Sequence, residues 1–230
     1  MTTLLLRFAA PLQSWGGESK YDKRMTKRAP SKSGTIGLAA AALGRRRDEP
    51  IDDLCRLRFG CRTDKEGVLL RDFQTTIENG KASHVIVKYY LSDAVFLAGL
   101  EGDTALLYRI ADALQHPVFP LFLGRRSCPV EGRVAVGIRN CPLEEALATE
   151  PRLANSLNGS DTRLRIRVET ADSSTNAYFL RDIPVSYNPA HRMYGFRRVR
   201  EYTVLCTNAA DHAESDCPTR HDPMPELEVR

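Results

Sequence analysis

Two stretches of this sequence combine residue types and spacing that can hold an anion. The first is Leu121-Phe122-Leu123-Gly124-Arg125-Arg126-Ser127-Cys128-Pro129. An apolar triplet, one glycine and two adjacent arginines predict a loop that brings backbone close to a ligand, with two guanidinium forks beside it. Gly124 supplies the close approach and an unusual dihedral. Arg125 and Arg126 supply planar, bidentate donors suited to phosphates and base edges. A solvated surface turn is the plain alternative for a bare Gly-Arg-Arg, so the neighbours have to decide.

The second stretch is Ser31-Lys32-Ser33-Gly34-Thr35, which opens a small-residue helix over Ile36 to Leu43 that stops at Gly44. Ser and Thr are good N-caps, and the free N–H groups and dipole of a first turn favour an anion. Lys20, Lys23, Arg24, Lys27, Arg28 and Lys32 flank it. The nucleotide-triphosphate pattern Gly-x-x-x-x-Gly-Lys-Ser/Thr is absent. Proton-transfer chemistry would have to use His84, Lys88, Tyr89, His116 or His191, and no pair of these has a telling spacing. The six cysteines (55, 61, 128, 141, 206, 217) form no Cys-x-x-Cys pair. This predicts neither a zinc site nor a disulfide framework. No clustered Asp/Glu/His set suggests a metal, and no cofactor is expected.

These loops must be held by a sizeable scaffold. Leu4 to Ala10 is a nearly continuous apolar run, the signature of a central strand buried on both faces. Pro11 to Gly17 ends it and carries Trp15, read as a core plug under a loop, with base stacking as the minority role. Leu57 to Cys61 and Val68 to Arg71 read as short strands. Asn79-Gly80 between two strand-prone arms predicts a projecting hairpin. Ser92 to Leu100 is a further strand, and apolar residues at 106, 107, 110, 111 and 114 predict a helix from Thr104 to His116. Arg133 to Ile138 reads as a strand and Pro142 to Glu150 as a short acidic helix. Arg163, Arg165 and Arg167 alternate with period two and share one strand face. Asp182 to Tyr187 and Phe196 to Tyr202 complete a β-rich ending, in which Tyr194, Phe196 and Arg197 to Arg200 interleave aromatic and basic residues.

The 230 residues carry a net charge of +4, unevenly spread. Residues 207–230 hold six acidic and two basic side chains, leaving a net of +8 on residues 1–206. A basic body suggests a polyanionic partner. No apolar run reaches the roughly 18 residues of a membrane span, and residues 2–10 do not read as a signal peptide. A cytoplasmic protein with free thiols and no membrane partner is expected.

Several of these stretches are similar to one known family. Leu4 to Gly16, Pro30 to Leu38 with Ala42-Leu43-Gly44, Arg71 to Thr75, Tyr90 to Ala94 and Phe122 to Pro129 resemble, in order, the CasD family, a subunit of the type I-E CRISPR surveillance complex Cascade. Beyond about residue 160 the resemblance fades to a β-rich ending with Tyr194-Gly195-Phe196-Arg197-Arg198. It implies an α+β fold: an elaborated ferredoxin-like (RRM-like) domain with a protruding β-hairpin thumb and a smaller β-rich C-terminal part. Residues 1–140 would form the RNA-binding domain, with the thumb at about 74–91, residues 141–206 the β-rich subdomain, and 207–230 a disordered acidic tail.

The same resemblance implies a non-catalytic RNA-binding subunit that caps the 5′ handle of the CRISPR RNA (crRNA). It would pack its thumb against the backbone subunit CasC, lie near the large subunit CasA, and meet target DNA only indirectly, within the complex. The candidate RNA contacts are then Arg24, Lys27, Arg28, Lys32, Ser33, Gly34, Thr35, Lys88, Gly124, Arg125, Arg126 and Ser127. Two rivals stay open: a metal-independent endoribonuclease processing repeat RNA, and a scaffold in which protein contacts dominate.

Overall fold

A computed structural model describes residues 1–16, 22–78, 81–154, 162–172, 176–188 and 190–206. Its strands are β1 (Thr3–Ala9), β2 (Leu12–Gln13), β3 (Lys23–Arg24), β4 (Arg58–Lys65), β5 (Val68–Glu78), β6 (Lys81–Ser92), β7 (Val95–Glu101), β8 (Ala135–Arg139), β9 (Thr162–Glu169), β10 (Ala177–Ser186) and β11 (Met193–Cys206). Its helices are α1 (Lys32–Ala42), α2 (Asp52–Cys55), α3 (Thr104–Ala113) and α4 (Leu143–Thr149).

Seven strands form one antiparallel sheet in the order β10-β11-β9-β4-β7-β1-β8. β1 lies inside it, and its unbroken apolar run is explained by cover on both faces. Leu4, Leu6 and Phe8 join the larger core beneath α1 and α3, whereas Leu5 joins a second core with Leu143 and Leu147 of α4. All four strand side chains are fully buried, each contributing on the order of 1.5–3 kcal/mol. α3 is amphipathic as its spacing predicts, burying Leu106, Leu107 and Ile110 under an Asp103 N-cap that accepts from the Leu106 N–H at 2.8 Å.

A second, smaller sheet is built on the hairpin. β5 and β6 pair from Val68–Ser92 out to Glu78–Lys81. The free edge of β6 takes β2 at Leu91 and Ser92 and, in parallel, β3 at Val87 and Lys88. The arm is therefore longer at its base than residues 74–91, because Val68 to Arg71 is not a separate strand but the start of β5. The turn residues Asn79-Gly80 lie outside the described residues, as does the tail 207–230.

β9 hydrogen-bonds to β4, with Gly60 opposite Val168 and Thr63 opposite Arg165. Residues 141–206 thus extend the sheet begun by the first 140. The alternation of β9 is as expected: Leu164, Ile166 and Val168 are buried, while Arg163 and Arg165 face outward. The short elements β2, β3 and α2 carry no periodicity of their own, and tertiary pairing defines them. Among the described residues no helix is long and apolar enough to cross a membrane.

Candidate nucleic-acid interface

Three loops meet beside the base of the hairpin. The segment after β1 is joined to residues 26–27 by Lys27 N–H to Trp15 C=O (2.8 Å) and Trp15 N–H to Thr26 Oγ1 (2.8 Å). It is joined to the Gly-Arg loop by Ser14 N–H to Leu123 C=O (3.0 Å). Trp15 is fully buried against Phe8, ring centroids 5.2 Å apart, and its Nε1 donates to Gln13 Oε1. It is the core plug, beyond the reach of a base.

The Gly-Arg loop uses its special residues on its own chain. Gly124 has φ +89°, and a Cβ there would lie 1.5 Å from the Ser14 carbonyl oxygen. The close approach expected for a ligand is thus spent on Ser14. Arg125 is half-buried: its guanidinium donates to the carbonyls of Tyr89 (3.3 Å) and Arg24 (3.0 Å) and lies 4.7 Å above the Tyr90 ring. It staples β3 and β6 to the loop, which leaves few donors for RNA. Arg126 and Ser127 sit at the exposed rim.

The expected phosphate seat on α1 is occupied from within. The N-cap Ser31 side chain accepts from the Gly34 N–H at 3.1 Å, and the Thr35 hydroxyl donates to the Ser31 carbonyl at 3.1 Å. The Lys32 N–H donates to Asp182 Oδ2 at 3.0 Å. That carboxylate is 2% exposed and held by both Nε and Nη2 of Arg197. A dipole favouring an anion has therefore found one on β10. The Lys32 side chain, also 2% exposed, is bonded to both oxygens of Glu169. The Ser33 carbonyl accepts from Tyr187 Oη, and a Cβ on Gly34 would press on Trp15 at 3.0 Å. Lys32, Ser33, Gly34 and Thr35 thus stand in a joint that ties α1 to β9 and β10. Burial pushes the Tyr187 hydroxyl well above its ordinary pKa, so it stays a donor.

What remains open is a strip of cations. Arg24 and Lys23 on β3, Arg28 after it, and Arg126 are exposed, and none has an ion-pair partner among the described residues. The Arg125 staple fixes Arg24 and Arg126 in one neighbourhood. Lys88 is half-buried and donates to Gln74 Oε1 at 2.6 Å; Lys27 reaches the Arg181 carbonyl at 3.5 Å. Lys23 belongs to the strip although sequence reading did not select it. Its signal is the parallel pairing of β3 with β6, which a two-residue strand does not announce.

The proton-transfer candidates do not converge. His116 follows α3, which packs on β1 and β8 at one edge of the large sheet, whereas His191 precedes β11 at the other. Six strand spacings of about 4.8 Å separate these edges. Lys88 and Tyr89 are on the hairpin, and the His84 side chain lies outside the described residues. Among the described residues no group of three His, Cys, Asp or Glu side chains comes together as a metal cradle. Burial pushes the thiols of Cys61 and Cys128 up, the latter partly offset by Ser127, so both stay protonated at neutral pH.

The family description "CRISPR-associated protein (Cas_Cas5)" matches residues 3–200. The chain belongs to this Cas5 family of CRISPR-associated proteins. A curated relative, the "CRISPR system Cascade subunit CasD" of Escherichia coli (strain K12), is 32% identical over 157 residues, spanning 58% of this chain and 70% of that one. A solved chain described as "Crystal structure of Cas protein" is 38% identical with a TM-score of 0.72, covering 88% of this chain and 95% of its own. A chain of a "CRISPR RNA-guided surveillance complex" is 31% identical with a TM-score of 0.73, covering 89% and 90%.

Proposed function

We propose that this Cas5 protein is a subunit of a type I-E CRISPR Cascade that caps and holds the 5′ handle of the crRNA without cutting it. The observation that carries this reading is the strip Lys23, Arg24, Arg28 and Arg126 at the base of the hairpin. Arg125 gathers these cations beside the three loops, and none of them has an ion-pair partner among the described residues. A hooked single strand needs such contacts, because phosphate contacts position it while base-edge contacts specify it.

A ferredoxin-like arrangement of residues 1–140 is part of the proposal. The succession β1, α1, β4, β7, α3, β8 and the spatial order β4-β7-β1-β8 support it. Residues 141–206 would be its β-rich extension. The hairpin arm exposes Phe73 and Val85, on one face because Phe73 pairs with Val87 and Thr75 with Val85. Such an arm suits packing against a backbone subunit of the CasC kind, with the large subunit CasA nearby and target DNA reached only through the assembled complex. The cytoplasm is the expected location. The wide separation of His116 and His191 weighs against the endoribonuclease reading.

The test is a gel-shift titration of the purified chain with end-labelled RNA carrying the 5′ handle, with a scrambled handle as competitor and the same samples on a denaturing gel. Selective binding of intact RNA is the expected result. Equal competition by the scrambled handle removes handle recognition, and cleaved RNA replaces capping with processing.

A further inference from the structure

We propose that the outer face of the β10–β11 hairpin is a stacking platform for an unpaired stretch of RNA, continuing the path that the basic strip begins; it rests on the handle-capping reading. The register sets the face. Arg200 pairs with Val168, whose side chain is packed in the core under α4. By strand alternation Arg198 and Phe196 share that face of β11, and their partners Phe179 and Arg181 share it on β10. The α4 core ends at β9 and the Tyr202–Val204 portion of β11. Beyond it Phe179 and Phe196 are exposed.

What stands there is a checkerboard. Phe179 is opposite Arg198, and Arg181 is opposite Phe196. The two phenyl rings are 66% and 64% exposed, and each has a guanidinium over it, Arg198 at 5.3 Å from the Phe179 centroid and Arg181 at 5.9 Å from that of Phe196. The forks are tied down, Arg198 on the carbonyls of Ala171 (3.4 Å) and Asp172 (3.2 Å) and Arg181 Nε on that of Tyr194 (3.3 Å). Of the three arginines on this face, Arg200 has Glu144 of α4 at 3.9 Å, whereas Arg181 and Arg198 lie over the phenyl rings.

That composition selects the occupant. A purely apolar partner would desolvate the Arg181 and Arg198 guanidinium groups, whereas a nucleotide brings a flat π-face for each ring and phosphates beside those forks. The rings are diagonal neighbours across the strand pair, about 7–8 Å apart, which suits successive splayed nucleotides of an extended strand. Continuity with the strip comes from Lys27, whose Nζ reaches the Arg181 carbonyl at 3.5 Å. The path therefore runs from Arg24 and Arg28 past Lys27 onto β10.

The experiment uses the full chain and three RNAs. These are the handle alone, the handle joined to a short unpaired run carrying 2-aminopurine, and an oligouridine carrying the same reporter. The variants are F179L/F196L, which keeps apolar volume without rings, and F179Y/F196Y, which keeps the rings. The wild type should quench the reporter on binding. F179L/F196L should abolish the quench and weaken the extended RNA about tenfold per ring, leave handle-only binding unchanged, and melt like wild type; F179Y/F196Y should restore the quench.

An unchanged quench and affinity in F179L/F196L overturns the platform while leaving the handle reading intact. If the wild type fails to bind handle RNA, the handle reading falls. Oligouridine then decides the platform: a quench lost only in F179L/F196L supports it, and no binding overturns it. Loss of co-purifying Cascade subunits with RNA binding intact makes this face a protein interface and overturns the proposal.

Discussion

Arg165 and Arg167 of β9 and the arginines beside the hairpin are the same residue type in equally basic stretches, yet they meet opposite fates. Arg165 and Arg167 face Glu201 across the β9–β11 ladder, at 3.4 and 2.7 Å, and Arg165 also takes Glu66 at 2.9 Å. Arg24, Arg28 and Arg126 sit on short or irregular segments with no such neighbour among the described residues. A carboxylate or carbonyl within reach of the fork decides whether an arginine is structural or available. Local arginine density does not, and this is why the richest basic runs in the sequence are partly spent inside the fold.

Breaking the extreme of the spent class gives the largest effect. Arg62 is fully buried, bonded to both oxygens of Asp64 and to the carbonyls of Leu147, Glu150 and Pro151. R62A strands a buried carboxylate and should cost about 3–5 kcal/mol in urea unfolding; a loss under about 1 kcal/mol would sink the distinction. At the open end, R24A/R28A/R126A should lower handle-RNA affinity on the order of a hundredfold and reduce the salt slope by about two, with melting unchanged.

A sharper contrast lies within one dipeptide. R125K keeps the charge but loses the fork that joins Tyr89 and Arg24, so about 1 kcal/mol of stability should be lost in denaturant titration. R126K should leave stability untouched and keep most of the RNA affinity. At the small end, R165A should change stability by no more than about 0.5 kcal/mol and leave RNA binding as it was. Smallest is an acid effect at Asp53, whose carboxyl is held below its ordinary value by hydrogen bonding to Arg45. Its contribution is complete above the unfolded pKa of about 4 and is lost as pH falls through the folded value. D53N should flatten the acid limb of the melting temperature between about pH 5 and 3; an unchanged limb would show that the pair is fully screened.

Much of the scaffold was legible because its signals are local. The apolar run from Leu4 to Ala10 reports burial on two faces, and the alternation Arg163, Arg165, Arg167 reports a half-buried strand. The Gly-Arg stretch is a loop, as its composition predicts, but its glycine and first arginine serve the chain itself, since nothing local announces that Gly124 lies on Ser14. The contacts of the α1 turn are harder to read, for a stronger reason. Its anion, Asp182, is 150 residues from Lys32, and the salt-bridge partner Glu169 is 137 away. A free helix N-terminus and an occupied one are identical in a local window. The aromatic and basic interleaving around Phe196 was visible, but only register shows that Phe179 and Arg181 complete it.

The joint between α1 and Asp182 also has a bearing on how the protein is made. Translation delivers Ser31 to Thr35 early and Asp182 with Arg197 near the end. Until β10 is released from the ribosome, the leading turn of α1 lacks its carboxylate and Lys32 lacks Glu169. That turn lies against Trp15, whose carbonyl holds Lys27 in the basic strip. In a nascent chain the α1 joint therefore closes only after β10 has emerged.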